Sequence, residues 1–206
     1  MHQRRLHAAV AAAVFSLWLG TAPRAALAGS HDQSVLDEIN FARTHPAAYA
    51  RRLEEEAQTE RPDPAGATFA YEDSGALQEA LDFLRQTRPL APLRYDSRLA
   101  AAAQAHTAAQ GPSGEEGHAG PRGETFGDRL QHHQVWAGLA AEDISYGYRT
   151  PADVVRQLIV DSGVPNRGHR NNIFGPAYQV AGVSCGPHRI YGSMCVIDFA
   201  GALARR

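Results

Sequence analysis

The stretch Leu139-Ala140-Ala141-Glu142-Asp143-Ile144-Ser145-Tyr146-Gly147-Tyr148-Arg149-Thr150-Pro151-Ala152-Asp153-Val154-Val155-Arg156-Gln157-Leu158-Ile159-Val160-Asp161-Ser162-Gly163 changes period halfway along. Over 139–146, Glu142, Ile144 and Tyr146 share a face at period two, which predicts a strand. Thr150 before Pro151 is a helix start, with the hydroxyl at the N-cap and proline in the first turn. Val154, Val155, Leu158 and Ile159 then form the apolar stripe of a helix that Gly163 and Pro165 end. A half-buried strand followed at once by an amphipathic helix predicts a sheet with a helix packed on it.

Two carboxylates sit on the apolar sides of these elements. Asp161 lies three residues after Leu158. It either points inward over the stripe, where it needs a partner or a shifted pKa, or the helix has already ended and it caps a turn. Glu142 shares its face with Ile144 and Tyr146. Either that face is buried or lines a cleft, or Glu142 is an ordinary edge-strand carboxylate.

Toward the C-terminus, Tyr178–Cys185 and Ile190–Ala200 read as two β-branched strands around a turn, a hairpin. Cys185 and Cys195 are ten apart on its arms, so a cross-strand disulfide fits. Such a loop stabilises the fold by about 2.7 kcal/mol in the chain-entropy picture. Gly182-Val183-Ser184-Cys185-Gly186 has the spacing of a nucleophile elbow, but a strand follows it where that motif needs a helix, so it is a chance match.

Toward the N-terminus, Ser34 and Asp37 resemble a capping box ahead of Val35, Leu36, Ile39 and Ala42 at helical spacing. Residues 47–56 continue as helix and residues 57–74 read as a loop. Leu77, Leu81 and Leu84 mark a further helix. Asp96 or Ser97 caps one that runs to about Gln110, with Leu99, Ala102, Ala103 and His106 inward. His106 on that face reads as a satisfied core histidine. Residues 111–127 carry six glycines, and Asp128 is placed to cap a short helix through His133. His132 and His133 read as exposed.

His118 in Gly117-His118-Ala119-Gly120 and His169 in Gly168-His169-Arg170 sit in glycine-flanked loops. Alone they read as exposed surface residues or as ligands. With Glu142 and Asp161 they would make a set that can hold a zinc-like divalent ion with an open position, although no local H-x-x-x-H spacing assembles it.

The chain has 206 residues, enough for one domain with a real core. All 20 basic residues are arginine and the formal charge is −2. Arg4 and Arg5, an apolar run of about 12 residues from Ala8 to Leu19, and Ala26-Leu27-Ala28 make residues 1–28 a secretory signal peptide, too short in its apolar part to span a bilayer. Its removal takes three arginines and no acid, so the charge moves from −2 to −5. A mildly acidic secreted or periplasmic protein is a poor nucleic-acid binder. No transmembrane anchor is expected after cleavage. Residues 29–206 would form one domain, with its core at about 34–200.

Five segments, in order, resemble the CAP superfamily (cysteine-rich secretory, antigen 5 and pathogenesis-related-1 proteins, the SCP domain). They are Pro92-Leu93-Arg94-Tyr95-Asp96 leading into Leu99-Ala100-Ala101-Ala102-Ala103, then Gly117-His118, then Ala141-Glu142-Asp143-Ile144-Ser145-Tyr146-Gly147. Gly168-His169-Arg170-Asn171-Asn172-Ile173 and Val180-Ala181-Gly182-Val183 follow. The segment before Pro92 and the run Asp161–Arg170 resemble the bacterial branch. The resemblance implies an α+β fold, a single α–β–α sandwich with a central antiparallel sheet flanked by helices. It also implies a cleft that can hold Zn2+ or another divalent metal on His118, His169, Glu142 and Asp161. Asp161 stands where the family usually has Glu, and Asp143 where it usually has Asn.

Three functions follow. The first is a secreted binding module whose cleft takes a metal and a small-molecule or lipid-like ligand, sterols included, or a cell-envelope partner. The second is a metal-dependent, peptidase-like hydrolase with Glu142 or Asp161 as catalytic base. The third is an envelope-interaction domain with a vestigial cleft. The absence of a recognisable nucleophile or zincin motif favours binding over catalysis.

Overall fold

The computed structural model describes residues 30–59 and 72–204. The signal peptide expected at 1–28 lies outside them, as does most of the loop expected at 57–74. Three helices come first: α1 (Ser30–Thr44), α2 (Pro46–Thr59) and α3 (Ser74–Gln86). A two-residue strand β1 (Arg94–Tyr95) leads into α4 (Ser97–Ser113) and a short α5 (Phe126–His132). Then come β2 (Ala140–Tyr146), α6 (Pro151–Val160), α7 (Gly168–Ile173), β3 (Val180–Gly186) and β4 (Met194–Ala200).

The strands lie in the order β1-β3-β4-β2. The three long ones are antiparallel, while β1 joins β3 in parallel. Alternation sorts the side chains. On one face Ile144, Met194 and Val196 meet Ala103 of α4, and Val180 and Ala200 meet Leu99, Ala102 and Leu130. On the other, Ala181, Val183, Ile197 and Phe199 join a larger core with α1, α2, α3, α6 and α7. The result is an α–β–α sandwich. Among the described residues no helix is long and apolar enough to cross a membrane.

Local chemistry explains several boundaries. Asp96 caps α4, accepting from the backbone N–H of Arg98 (3.0 Å) and Leu99 (3.3 Å). The helix runs past the expected Gln110 to Ser113 and stops at Gly114, whose φ of 74° is the left-handed conformation that favours glycine. Thr150 accepts from the Asp153 N–H at 3.1 Å and caps α6, as its sequence predicts.

Other expectations need correction. α1 begins at Ser30, and Ser34 is inside it, donating its hydroxyl to the Ser30 carbonyl (2.8 Å). It does not cap, because four more residues upstream continue the helix. α2 extends to Thr59, three residues into the expected loop, because Ala57 and Gln58 are good helix formers. Asp128 does not cap α5. Thr125 is the N-cap and Asp128 its reciprocal partner, Thr125 N–H to Asp128 Oδ2 3.0 Å and Asp128 N–H to Thr125 Oγ1 3.1 Å.

The hairpin is closed by the Cys185–Cys195 disulfide, which joins directly opposed residues of β3 and β4. Gly182 lies beneath α4. A Cβ there would come within 2.0 Å of the Ala100 nitrogen and 2.3 Å of the Leu99 carbonyl carbon, both backbone. Gly182→Ala is expected to push α4 off the sheet and destabilise the protein by about 3 kcal/mol, read as a lower urea midpoint.

Candidate functional site

β2 is an edge strand, and its charged residues point both ways. Glu142 lies opposite Asp198 of β4 and faces α4 and α5; Asp143 lies opposite Ile197 and faces α6 and α7. Glu142 is 6% exposed, and Asp143 and Asp198 are fully buried. Groups buried this deeply need partners or a proton.

Glu142 has partners. Its Oε1 accepts from His118 Nδ1 at 2.9 Å, and its Oε2 is bonded by Nη2 of Arg129, a guanidinium 1% exposed. Burial alone would raise the Glu142 pKa, but the bond from His118 and the Arg129 charge outweigh it and hold the carboxyl below the usual range. Arg129 also reaches the His118 carbonyl (3.5 Å) and stacks over Phe126. It went unrecognised in the sequence. The signal was Thr125-x-x-Asp128: a cap at Thr125 phases α5 so that Arg129 and Leu130 turn inward.

His118 is held in place through the residue before it. The Gly117 carbonyl takes Gln110 Nε2 at 2.8 Å and His106 Nε2 at 2.9 Å, and its N–H donates to the Tyr146 hydroxyl at 3.0 Å. That hydroxyl donates to Gln110 Oε1 at 2.6 Å, closing a ring. Gly117 has φ 91°, so a side chain there would be strained. His106 is thus a core histidine with a task. A carbonyl only accepts, so Nε2 carries the proton. Burial lowers its pKa, consistent with a neutral ring. His118 itself projects outward, its side chain 55% exposed. His132 is exposed and His133 half-buried.

Asp161 realises both readings its sequence position allowed. α6 ends at Val160, and Asp161 is the C-cap in the left-handed region (φ 56°, ψ 40°), yet it is fully buried. The turn aims its carboxylate at the start of α7. Oδ2 accepts from the backbone N–H of His169 (2.9 Å) and Arg170 (3.4 Å), and Oδ1 from His169 Nδ1 (2.7 Å). Aspartate reaches because the backbone turn does what an extra methylene would do. Burial lowers the His169 pKa, but the Asp161 bond and the Asp143 charge outweigh it, so the imidazole is held above its ordinary value.

The four expected residues therefore arrive as two imidazole–carboxylate pairs, His118–Glu142 and His169–Asp161, on either side of β2. They do not converge as a direct four-ligand set. Among the described residues, the one group of three or more His, Cys, Asp or Glu with ligand atoms within 4.8 Å of one another is His31, Cys185 and Cys195, and its sulfurs are disulfide-bonded. The donor chemistry still suits a cation. Each Nδ1 is taken by a buried carboxylate, Nε2 makes no hydrogen bond among the described residues, and metal-bound histidines typically carry such a partner. Glu142 and Asp161 each hold one imidazole by its Nδ1.

Asp143, which stands where the family usually has Asn, does not line the Glu142 side of β2. It lies across the sheet instead, accepting from Asn172 Nδ2 at 2.7 Å. Burial pushes its carboxyl up to about 8. Asp198 lies against Glu142, and burial, then the Glu142 charge, raise its pKa well above the ordinary value.

Removing Arg129 would strand Glu142 beside Asp198. Arg129→Met is expected to cost about 3–5 kcal/mol in urea unfolding. For Asp143 the folded pKa lies above the ordinary 3.8, so its contribution is full below that value and is lost as pH rises through about 8. Asp143→Asn, compared with wild type by urea titration at about pH 5 and about pH 8.5, is expected to gain stability at the higher pH and flatten the fall between them.

The profile of the Cysteine-rich secretory protein family, CAP, matches residues 78–199. No curated protein matches the chain. Among solved structures, an extracellular protein containing an SCP domain from Bacillus anthracis is similar at 24% identity over 62% of this chain and 41% of that one, TM-score 0.48. An outer surface protein of Borrelia burgdorferi is similar at 17% identity over 65% and 95%, TM-score 0.47. A cysteine-rich secretory protein of Staphylococcus aureus is similar at 14% identity over 65% and 41%, TM-score 0.42. The chain thus spans less than half the length of the Bacillus and Staphylococcus proteins. The match over α3 to β4, most of the folded chain, takes in both imidazole–carboxylate pairs, and the chain belongs to the CAP family.

Proposed function

We propose that this protein is exported, with residues 1–28 removed, and that it acts as a binding module built on the two histidines. The observation that carries this reading is the matched construction of His118 and His169. Two imidazoles far apart in the chain, His118 in a loop and His169 at the start of α7, each have Nδ1 tied to a buried carboxylate. A surface histidine without a task does not need a buried acid to aim it.

His118 and His169 would hold a divalent cation such as Zn2+ through Nε2. Bound there, the ion would supply a Lewis-acidic point for an oxygen or nitrogen of a ligand. Glu142 and Asp161 hold each Nδ1–H toward themselves, so Nε2 is the nitrogen a cation would take, displacing its proton where the ring is charged. Arg129 balances Glu142, and the backbone N–H groups of α7 balance Asp161.

The ligand is best read as polar. A cavity of about 470 Å3 opens in the loop before His169, lined by Glu79, Asn166 and Arg167 together with Gly163, Val164 and Pro165. It is open to solvent and neither histidine lines it, but for a ligand that extends from His169 to this side, charged and amide walls suit a polar small molecule or cell-envelope component better than a sterol-like one.

Zinc calorimetry at neutral pH on metal-free protein tests this. Saturable one-to-one binding is expected, abolished in His118→Ala/His169→Ala. Glu142→Gln is expected to weaken it by about 10- to 100-fold, as removal of an orienting partner does. Equal binding in wild type and the double variant would sink the reading.

A further inference from the structure

The Cys185–Cys195 disulfide is not sealed in the core. Cys185 is half-buried, and both cysteines line a cavity of about 300 Å3 together with His31, Tyr148 and Arg149. A ring nitrogen of His31 lies within 4.8 Å of both sulfurs. We propose that this bond exchanges with a small anionic thiol, which attacks Cys185 and expels Cys195 beside the His31 imidazole. The inference stands apart from export and from the metal reading of His118 and His169.

The two sulfurs differ in access. Cys195 is 1% exposed and belongs to β4, the strand between β2 and β3. Cys185 is the last residue but one of β3. A thiol entering the cavity therefore meets Cys185, and Cys195 becomes the leaving group. His31 is exposed in the first turn of α1. It is held over the bond because its neighbour Asp32 accepts the Cys185 N–H through Oδ1 at 3.0 Å. A cation beside a sulfur stabilises the thiolate, and a stabler thiolate leaves faster. Arg149 is exposed on the same cavity, and no described residue that lines it is a carboxylate. That balance favours a thiol whose own carboxylates give it a net negative charge.

The fold can tolerate the opening. β4 is paired along seven residues with β2 on one side and with β3 on the other, so the ladders hold the strands without the sulfur bridge. Exchange then runs in two steps. The incoming thiolate bonds to Cys185 Sγ as the Sγ–Sγ bond breaks, and the electron pair goes to Cys195, which takes a proton from the His31 imidazolium. A second thiolate attacks the sulfur of the bound thiol, releasing Cys185 as thiolate. Two thiols are thereby oxidised to one disulfide, and the protein bridge is reduced to two cysteines. In reverse, the oxidised form of the thiol restores the bridge.

Reduced glutathione, a thiol that carries carboxylates, is the probe. It is added to the oxidised full chain without denaturant, and the reaction is followed by acid quenching, mass spectrometry and peptide mapping. A rate proportional to glutathione concentration and an adduct on Cys185 are expected. His31→Ala is expected to slow the reaction by about 3- to 10-fold, with its far-ultraviolet circular dichroism unchanged. His31→Lys, which restores the charge but not the shape, is expected to keep most of the wild-type rate. On the wild-type chain alone, glutathione is expected to react faster than the neutral thiol 2-mercaptoethanol at equal thiolate concentration. A rate that levels off at high glutathione, as it does when the chain must first open, overturns the proposal. So does an adduct on Cys195, an undiminished rate in His31→Ala, a His31→Lys variant as slow as His31→Ala, or a faster reaction with the neutral thiol.

Discussion

Three carboxylates buried in two neighbouring strands set the terms for the rest of the molecule. Glu142 and Asp198 face each other across β2 and β4, and Asp143 follows on the opposite side of the sheet. An isolated ionised carboxylate in such a place is prohibitively unfavourable, so each must be paired or neutral. Glu142 is paired, with Arg129 and His118. Burial favours the neutral form of the other two, holding Asp198 well above its ordinary value and pushing Asp143 up to about 8. The positions of α5 and α7 follow. One must deliver a guanidinium to Glu142, and the other an amide to Asp143 through Asn172.

The two imidazoles inherit their placement from this arrangement by different routes. His118 comes from a glycine-rich loop that would have little reason to hold one shape. It is fixed because the Gly117 peptide is gripped on both its carbonyl and N–H sides by His106, Gln110 and Tyr146. His169 is fixed by Asp161, whose carboxylate closes the open end of α7 and bonds the ring with its other oxygen. That Asp161 does both depends on a left-handed residue immediately after α6. Aspartate tolerates that conformation better than most side chains do.

Much of the fold was legible in the chain. Period-two spacing over 139–146, Thr150-Pro151, and the paired cysteines on a β-branched hairpin each report a local preference that tertiary packing did not override. The misjudged boundaries were also local. Ser34 and Asp128 are residue types that cap, but each sits within four residues of a better start, and only the extent of the neighbouring helix selects between them. Among the site residues, Glu142 and Asp161 announced themselves by standing on apolar faces. Arg129 did not, because its inward direction depends on the phase of a seven-residue helix. Asp143 was visible as a charge, but its side of the strand mattered more than its proximity to Glu142.

Local order along the chain decides which segments alternate and which spiral, where the disulfide could close, and which two acids stand on apolar faces. These are properties of residues near one another along the chain, where spacing and side-chain type act directly. Tertiary structure decided how these acids associate with His118 and His169: as two pairs flanking an edge strand, each acid turned to its own imidazole. The reason is physical. Desolvation makes every buried charge seek the strongest partner within reach. Reach is set by the alternation of β2, the turn at Asp161 and the packing of α5, none of which is fixed until the layers have come together.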